Sequence, residues 1–423
     1  MTLLADLLTT LFERARDATG APDDGRAVET LAEALAADGG EAGGFMLARA
    51  LLDRYAGLDD KAKLGFFTHL TEKMDLDPDR LQSAAAAYAA RPEKAAYAEL
   101  MDAAEPKRQE LIRRLNRAPG ATKRLVRMRE DLRRIGGRDP GLGRLDLDFL
   151  HLFGSWFNRG FLVLRPIDWD TPASVLEKII AYEAVHEIRS WDDLRRRLAP
   201  ADRRCFAFFH PAMADDPLIF VEVALTKGVP GSIAALLAED REPGLAQEAD
   251  TAVFYSISNC QAGLAGVSFG NLLIKQVAED LGRALPGLKT YVTLSPIPGL
   301  MKWLQAEKRE TAEGEALKGL AADYLLNAKR DNGLPLDPVA RFHLENGARV
   351  HAIHAGADLS PRGQAQSGGA MVNYLYDLGK IAENHEAFAA RRAVAASKAV
   401  RALAETGAKT RETGRTKNGQ SAL

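Results

Sequence analysis

Three groups of residues in this sequence have types and spacing that suit chemistry on a phosphate-bearing substrate. Ser295 opens the string SPIPG, in which two prolines stiffen the chain directly after the hydroxyl. His343 lies in the string DPVARFHLENG, residues 337–347. A glycine-punctuated turn contains Ala265, Gly266, Val267, Ser268, Phe269, Gly270 and Asn271. Glycines in such a turn let backbone N–H groups surround an anion, so we predict a phosphate-binding site there.

The elements on either side of the turn support this prediction. An apolar run at residues 252–257 predicts a strand before the turn. After it, Leu273, Val277 and Leu281 form one apolar stripe on a helix predicted over residues 271–283. The N-terminus of a helix carries partial positive charge, which favours an anion. The glycine spacing itself matches neither the G-x-x-x-x-G-K-[ST] pattern nor a complete G-x-G-x-x-G pattern, so it does not name the ligand.

Ser295 follows a second apolar run, residues 291–294, which predicts a strand that ends at the hydroxyl. The serine is then held at a strand end, where functional side chains often lie. Alternatively, its side chain caps the next helix, which contains Trp303 and Leu304. The residues alone leave both interpretations open.

His343 belongs to a short predicted helix. Asp337, followed by proline, is an N-cap signal and Gly347 is a stop signal, which leaves about eight helical residues between them. A histidine on such a helix is commonly a surface or core residue. His343 follows the predicted strand that ends at Ser295, and it precedes a strand predicted at residues 349–354. It is therefore a candidate partner for Ser295.

Metal and disulfide chemistry are not predicted. Cys205 and Cys260 are the only cysteines, too few for a disulfide framework and without the paired spacing of a zinc site. We expect both to be buried, with Cys260 as a candidate wall of the pocket near the glycine turn. His351 and His354 lie three apart on a predicted strand and face opposite sides, so they are poorly placed to share a metal ion.

Length and charge limit the classes of function. A chain of 423 residues exceeds the usual size of one hydrophobic core, so two or three domains are expected. Its 56 Lys and Arg residues nearly balance 58 Asp and Glu residues, which gives no general attraction to nucleic acid or an anionic membrane. Residues 3–11 have amphipathic helical spacing, without a signal-peptide pattern, and no apolar run reaches membrane-spanning length. We expect a soluble, cytoplasmic protein.

The composition changes twice along the chain. Residues 1–155 are rich in Ala, Leu, Arg and Glu and predict a helical domain. Residues 156–405 alternate strand and helix patterns and predict a catalytic domain built on a sheet. Residues 406–423 are polar, basic and glycine-interrupted, and predict a flexible tail.

Residues 103–138 carry twelve basic and four acidic side chains. The apolar residues among them have the spacing of two core-facing helices: Leu111, Leu115, Leu125, Met128, Leu132 and Ile135. We therefore interpret the basic side chains as solvated helix faces. A face lying on a neighbouring subunit and a nucleic-acid patch are the alternatives.

Several strings, in this order, resemble the malonyl-CoA decarboxylase family. They are FYSIS (254–258), the glycine turn, LSPIPG (294–299), PVARFHLENGA (338–348), ADLSPRG (357–363) and MVNYLY (371–376). The resemblance covers residues from about 150 to 390, and the helical part also fits the family's N-terminal domain. It implies an α+β multidomain fold, in which an all-helical bundle precedes a catalytic domain of the acyl-CoA N-acyltransferase (acetyltransferase-like) fold.

The resemblance also implies site residues and partners. Ser295 and His343 match the family's catalytic serine and histidine, residues 265–271 match its CoA-binding turn, and Tyr374 is a supporting residue that orients the histidine or closes the pocket. The turn departs from the family pattern at Ala265 and Ser268. Malonyl-CoA and acetyl-CoA are the implied ligands, and a homo-oligomer, dimer or tetramer, is implied through the helical domain.

The implied reaction is decarboxylation of malonyl-CoA to acetyl-CoA and CO2 through an enolate. No metal and no organic cofactor is expected, because the thioester itself accepts the electrons that CO2 leaves behind. We assign Ser295 the carboxylate end or a proton relay, and His343 the oxyanion and the proton-donor role. Two other functions stay open: acyl transfer from CoA to an amine, and CoA binding without turnover.

Overall fold

The computed structural model describes residues 25–37, 40–137, 139–267 and 273–419. These residues form two compact units. The helical unit comprises the described residues up to Leu162, together with His210–Ala214 and the segment that starts at Gln261. The sheet unit comprises Val163–Phe209, Asp215–Cys260 and the described residues from Leu273 onward.

The division between the units differs from the boundary predicted near residue 155. That position lies inside the helix Pro140–Trp156, whose Phe149 and Phe153 are buried in the helical unit. The predicted boundary therefore falls within a helix that belongs to the core of the helical unit. The segment at Gln261, which contains the described part of the glycine turn, Ala265 to Val267, also groups with the helices and not with the sheet.

The described part of the helical unit contains eight α-helices. They are α1 Val28–Ala37, α2 Glu41–Ala56, α3 Asp60–Lys73, α4 Pro78–Ala90, α5 Lys94–Ala103, α6 Lys107–Leu115, α7 Ala121–Ile135 and α8 Pro140–Trp156. Asp59, Asp77 and Asp139 each accept a backbone N–H at an N-cap. Short polar side chains at these positions satisfy N–H groups that the helix leaves unpaired, which explains where α3, α4 and α8 begin.

The interpretation of residues 103–138 as core-facing helices is confirmed. Five of the six apolar residues are buried: Leu111, Leu115, Leu125, Met128 and Leu132. The interpretation of the basic side chains as solvated is wrong for Arg108 and Arg129, which are buried. Arg108 pairs with Asp75 and Asp148, and Arg129 pairs with Asp146. Such pairing is what makes a buried guanidinium tolerable.

The sheet unit is built on one mixed sheet of eight strands within the described residues. They are β1 Val163–Ile167, β2 Arg203–Phe209, β3 Ile219–Thr226, β4 Thr251–Asn259, β5 Thr290–Thr293, β6 Ser295–Pro296, β7 Arg349–His354 and β8 Met371–Leu375. Their order is β1-β2-β3-β4-β5-β8-β6, with β7 paired to β8. Strands β4 and β5 are parallel, and the other neighbours are antiparallel.

The helices of this unit lie between and after the strands. They are α9 Ala173–Tyr182, α10 Trp191–Leu198, α11 Ile233–Leu236, α12 Leu273–Ala284, α13 Leu300–Ala306, α14 Gly314–Asn327, α15 Pro338–Glu345, α16 Pro361–Ser367, α17 Ile381–Arg391 and α18 Lys398–Gly419. Helix α12 connects the parallel pair, and its predicted stripe of Leu273, Val277 and Leu281 is buried. A helical part followed by a mixed-sheet part confirms the expected α+β architecture.

One face of the sheet packs against α9 and α10. Phe220 of the sheet lies in a buried cluster with Ile179 and Leu194 of these helices. Cys205 and Cys260 belong to the same cluster, and burial raises the pKa of both thiols. Cys260 is therefore a core residue, which corrects its interpretation as a wall of the pocket.

Helix α18 extends to Gly419, through the segment predicted as a flexible tail from residue 406. A Cβ atom added to Gly407 would lie 2.1 Å from the carbonyl oxygen of Gly319 on α14, so the two helices touch where each has a glycine. Arg309 donates to the carbonyl oxygen of Gly407 at 2.6 Å. The glycine that suggested flexibility is here a close-contact residue between helices, which only glycine permits.

None of the helices in the described ranges combines the length and the apolar character needed to cross a bilayer. The amphipathic segment predicted at residues 3–11 lies outside the described residues.

Candidate active site

Ser295 is held by strand pairing. Strand β5 ends at Thr293, and Ser295 with Pro296 forms β6, where Ser295 pairs with Val372 of β8. The side chain is only 6% exposed, and its Oγ donates to Oγ1 of Thr293 at 2.8 Å. The predicted position at a strand end is confirmed. The alternative interpretation as a helix cap is wrong, because α13 begins after Gly299 without a side-chain cap.

His343 lies in the last turn of α15, the eight-residue helix that the sequence predicted. Asp337 caps this helix by accepting the backbone N–H of Ala340 at 2.8 Å. The imidazole is buried, and its Nε2 lies 3.2 Å from Oγ of Ser295, although the two residues are 48 positions apart. The structure thus brings the predicted hydroxyl and imidazole to hydrogen-bond distance.

Two tyrosines of the MVNYLY string surround the imidazole. Tyr374 of β8 stacks on the His343 ring, with the ring centroids 4.4 Å apart and the planes inclined by 24°. The hydroxyl of Tyr376, directly after β8, lies 2.7 Å from Nδ1 of His343. The backbone N–H of Tyr374 donates to Oγ1 of Thr293 at 3.1 Å. Both imidazole nitrogens therefore have a hydroxyl partner, Ser295 on one side and Tyr376 on the other.

Burial governs the protonation states in this cluster. It lowers the pKa of the His343 imidazole from 6.5 to about 3, so the ring is neutral at neutral pH. It raises the pKa of the Tyr374 and Tyr376 hydroxyls well above their usual value, so both stay protonated. Burial also raises the pKa of the Asp337 carboxyl to about 6, although backbone N–H groups that bond to it act in the opposite direction. At neutral pH the hydroxyls and the imidazole that contact one another are therefore uncharged, whereas the Asp337 carboxyl is largely ionised.

The described part of the glycine turn, Ala265 to Val267, belongs to the helical unit. Gly266 has a φ of +82°, a left-handed conformation that favours glycine, and it is exposed. Val267 is buried. The other predicted residues of the turn, Ser268, Phe269, Gly270 and Asn271, lie outside the described residues. The assignment of the whole turn to CoA stays a prediction.

Thr293 and Tyr376 are site residues that sequence reasoning missed. Each had a local signal, because side chains two apart on an extended chain point to the same side. Thr293 is two positions before Ser295, and Tyr376 is two positions after Tyr374. The same spacing does not say which tyrosine stacks on His343 and which one hydrogen-bonds to it.

Two family models match this chain. The model for the malonyl-CoA decarboxylase C-terminal domain matches residues 160–315 and 307–414, more than half of the chain. The model for the malonyl-CoA decarboxylase N-terminal domain matches residues 75–157. The chain belongs to the malonyl-CoA decarboxylase family. This family places it among the carboxy-lyases.

Named relatives in this family include animal proteins. The mitochondrial malonyl-CoA decarboxylase of Anser anser anser is 35% identical over 349 residues, which cover 70% of this chain and 69% of that protein. The mitochondrial malonyl-CoA decarboxylase of Rattus norvegicus is 32% identical over 351 residues, which cover 70% of this chain and 71% of that protein.

Solved structures of the malonyl-CoA decarboxylase family extend the likeness to the fold. The crystal structure from Rhodopseudomonas palustris is 52% identical with a TM-score of 0.83, and the match covers 88% of this chain and 98% of that one. The crystal structure from Agrobacterium vitis is 50% identical with a TM-score of 0.84, covering 89% and 99%. The match spans the helical and the sheet parts, which confirms the expected fold class of an α+β protein with a helical part followed by a part built on a sheet.

Proposed function

We propose that this chain decarboxylates malonyl-CoA to acetyl-CoA and CO2, with Ser295 and His343 as its catalytic residues. Family membership supports the reaction and the substrate. The observation that carries the assignment of residues is the 3.2 Å distance between Oγ of Ser295 and Nε2 of His343. A buried, uncharged hydroxyl and imidazole at this distance suit a reaction whose charge develops on the substrate.

Decarboxylation of a malonyl thioester requires few groups. The bond between the α-carbon and the carboxylate breaks, and its electron pair delocalises over the α-carbon and the thioester oxygen as an enolate while CO2 leaves. One proton then adds to the α-carbon and gives acetyl-CoA. The protein must therefore orient the carboxylate, stabilise the oxyanion with fixed donors and supply the proton.

We assign the oxyanion to His343. We infer that the protonated hydroxyl of Tyr376 is the donor in its contact with Nδ1, which assigns the single proton of the neutral imidazole to Nε2. Nε2–H then points toward Ser295, and it can donate to the thioester oxygen of the substrate as well as to Oγ of Ser295. A neutral donor held in place by neighbouring groups stabilises charge that appears only in the transition state.

We assign the proton relay to Ser295. Its Oγ donates to Thr293 and lies within reach of Nε2–H of His343. The hydroxyl can pass its proton to the α-carbon and take one from Nε2–H of His343, whose Nδ1 takes the proton of the Tyr376 hydroxyl. A proton from solvent then restores Tyr376, so each turnover consumes one proton from solvent. Tyr374 keeps the imidazole plane in place by stacking on it.

We assign the CoA phosphates to residues 265–271. The left-handed, exposed Gly266 supports this assignment, because a residue without a side chain lets an anion approach the backbone closely. Helix α12 follows the turn in sequence, and the dipole of a helix N-terminus favours negative charge.

The deciding experiment is an assay of labelled malonyl-CoA, without any acceptor, on the wild type, Ser295→Ala and His343→Ala. The wild type should release CO2 and acetyl-CoA in equal amounts. Loss of one preorganised donor typically costs about 3–4 kcal/mol, so kcat should fall about 100- to 1,000-fold in each variant. The double variant should be little worse than either single one, because the two groups act as a unit.

Matched controls are Ser83→Ala on α4 and His69→Ala on α3, which should keep the wild-type kcat. Thermal unfolding checks that every variant is folded. Turnover that strictly requires an amine would replace the proposal by acyl transfer. A protein that binds CoA tightly and forms no product, with the same affinity in Ser295→Ala and His343→Ala, would instead be a CoA-binding protein without turnover.

We also propose that the chain forms a homo-oligomer, a dimer or tetramer, through the helical unit. Tyr97 and Met101 of α5 are 52% and 54% exposed. They lie four positions apart on one helix, so they occupy the same side of it. Large apolar side chains that neighbour one another on a surface are typical of protein–protein interfaces.

A further inference from the structure

Arg129 of α7 is a buried charged residue for which the proposed reaction has no role. Its side chain is completely buried. Nε and Nη2 donate to the two carboxylate oxygens of Asp146 on α8, at 2.8 and 3.3 Å. Nη1 donates to the backbone carbonyl oxygen of Gly263 at 2.7 Å. Burying a guanidinium is unfavourable unless its N–H groups are paired, and here they join α8 to the segment before the glycine turn.

Gly263 lies directly on the backbone of α7. A Cβ atom added to it would lie 1.9 Å from the carbonyl oxygen of Val126, so only glycine allows this approach. The chain then folds back on itself. The N–H of Leu264 donates to the carbonyl oxygen of Gln261 at 2.9 Å, and the N–H of Val267 donates to that of Leu264 at 3.0 Å. The base of this compact turn is therefore fixed to α7.

The next part of the turn contacts the same two helices. Arg133, four positions after Arg129, donates from Nη1 to the carbonyl oxygen of Ala265 at 3.1 Å. A Cβ atom added to Gly266 would lie 3.4 Å from the Leu150 side chain on α8. The position of residues 263–266 is thus determined by contacts with α7 and α8.

We propose that Arg129 is a positioning residue for substrate binding, which holds residues 263–267 in the conformation that receives the CoA phosphates. This inference rests on the proposed function of the glycine turn. A guanidinium donates in fixed, planar directions, so one side chain sets α7, α8 and the turn relative to one another. A loosened turn is competent to bind for a smaller fraction of the time, and the apparent affinity falls by that fraction.

Arg129→Lys tests the proposal. Lysine keeps the charge, but a single ammonium group cannot reproduce the fork that reaches both Asp146 and Gly263. KM for malonyl-CoA and Kd for acetyl-CoA should rise about 10-fold, while kcat stays within about threefold of the wild type. If Arg129 only stabilises the fold, the substitution should leave a smaller fraction of the protein active. The measured kcat would then fall and KM would be unchanged. That result overturns the proposal.

Arg124→Lys is the matched control, because Arg124 is on the same helix and pairs with Asp53 at an exposed site. It should leave KM and Kd unchanged. Gly263→Ala is an independent variant, which keeps Arg129 but displaces the turn from α7, and it should raise KM in the same way. A third variant is needed if Arg129→Lys and Gly263→Ala both fail to fold. Arg133→Ala removes the exposed contact to Ala265 and should raise KM about threefold. An unchanged KM in Arg133→Ala overturns the proposal.

Amide hydrogen exchange measures the position of the turn without substrate. The N–H groups of Leu264 and Val267 should exchange about 10-fold faster in Arg129→Lys than in the wild type or in Arg124→Lys. Unchanged exchange overturns the proposal. If the wild type does not turn over malonyl-CoA, the proposed function is refuted but the proposal for Arg129 is not. The amide exchange rates and the Kd for acetyl-CoA still decide the role of Arg129 in that case.

Discussion

His343 differs from the histidine of a nucleophilic serine pair in the partners of its two nitrogens. A histidine that activates serine accepts the hydroxyl proton at Nε2 and is oriented by a carboxylate at Nδ1. Here the partner at Nδ1 is the hydroxyl of Tyr376, and burial lowers the imidazole pKa to about 3. A neutral imidazole next to protonated hydroxyls suits donation to an enolate oxygen better than formation of an acyl-enzyme.

The pH dependence of kcat tests this protonation state. Because the pKa of His343 is lowered, its neutral form is lost only as pH falls through about 3. The buried carboxyl of Asp337, with a pKa of about 6, does titrate near neutral pH, and Asp337→Asn removes it. In Asp337→Asn, kcat should stay constant within about twofold from about pH 5 to 8. If kcat of that variant instead falls as the pH drops through about 6.5, the pKa of His343 is not lowered.

At the scale of elements, one buried carboxylate fixes the start of helix α15. Asp337 is fully buried, and its Oδ1 accepts the N–H of Ala340 in the first turn of α15 at 2.8 Å. This N-cap sets where the helix begins, and His343 lies in the last turn of the same short helix. The position of the imidazole therefore depends on the cap.

Asp337→Ala should lower both stability and activity. Loss of an N-cap typically costs about 1–2 kcal/mol of unfolding free energy. A displaced His343 should also lower kcat, by about 10-fold or more, because catalysis depends steeply on the position of the donor. Asp337→Asn can still cap the helix and should retain most of the activity. The measurements are thermal unfolding and kcat for the same preparations.

Asp77→Ala is the matched control for that experiment. Asp77 caps α4 at an exposed position, where it accepts the N–H groups of Asp79 and Arg80. Its loss should lower stability without lowering kcat. If Asp337→Ala behaves like Asp77→Ala in both measurements, the carboxylate is not needed to position the histidine.

At the scale of the molecule, the two units carry different parts of the proposed function. The sheet unit contains Ser295 and His343, and the helical unit contains the described part of the glycine turn. The helical unit also exposes the apolar side chains of Tyr97 and Met101. We therefore assign it two tasks, positioning the turn and self-association.

Self-association is tested by light scattering. The wild type should have the mass of two or four chains of 45.9 kDa, and the double variant Tyr97→Asp, Met101→Asp should have a lower mass, because a buried unpaired carboxylate disfavours an interface. Leu245→Asp, at a 61% exposed position of the sheet unit, is the control and should leave the mass unchanged. A monomeric wild type contradicts the proposal. An unchanged mass in the double variant places the interface elsewhere.

The sequence by itself determined the local elements and the family of this protein. Helix α15 and strand β7 lie where capping residues and apolar runs predicted them, and Ser295 lies at a strand end. These features depend on neighbouring residues, whose preferences act over a few positions. The same reasoning failed at Gly407, since a glycine that suggests flexibility locally can serve a helix contact that is not local.

Only the tertiary structure decided which residues meet and how they are protonated. The contact of His343 with Tyr376 spans 33 positions, and the contact of Arg129 with Gly263 spans 134. Such pairs depend on how helices and strands pack, which no local pattern encodes. The lowered pKa of His343 has the same origin, because an imidazole in the unfolded chain is solvated and only burial in the folded core makes its charged form unfavourable.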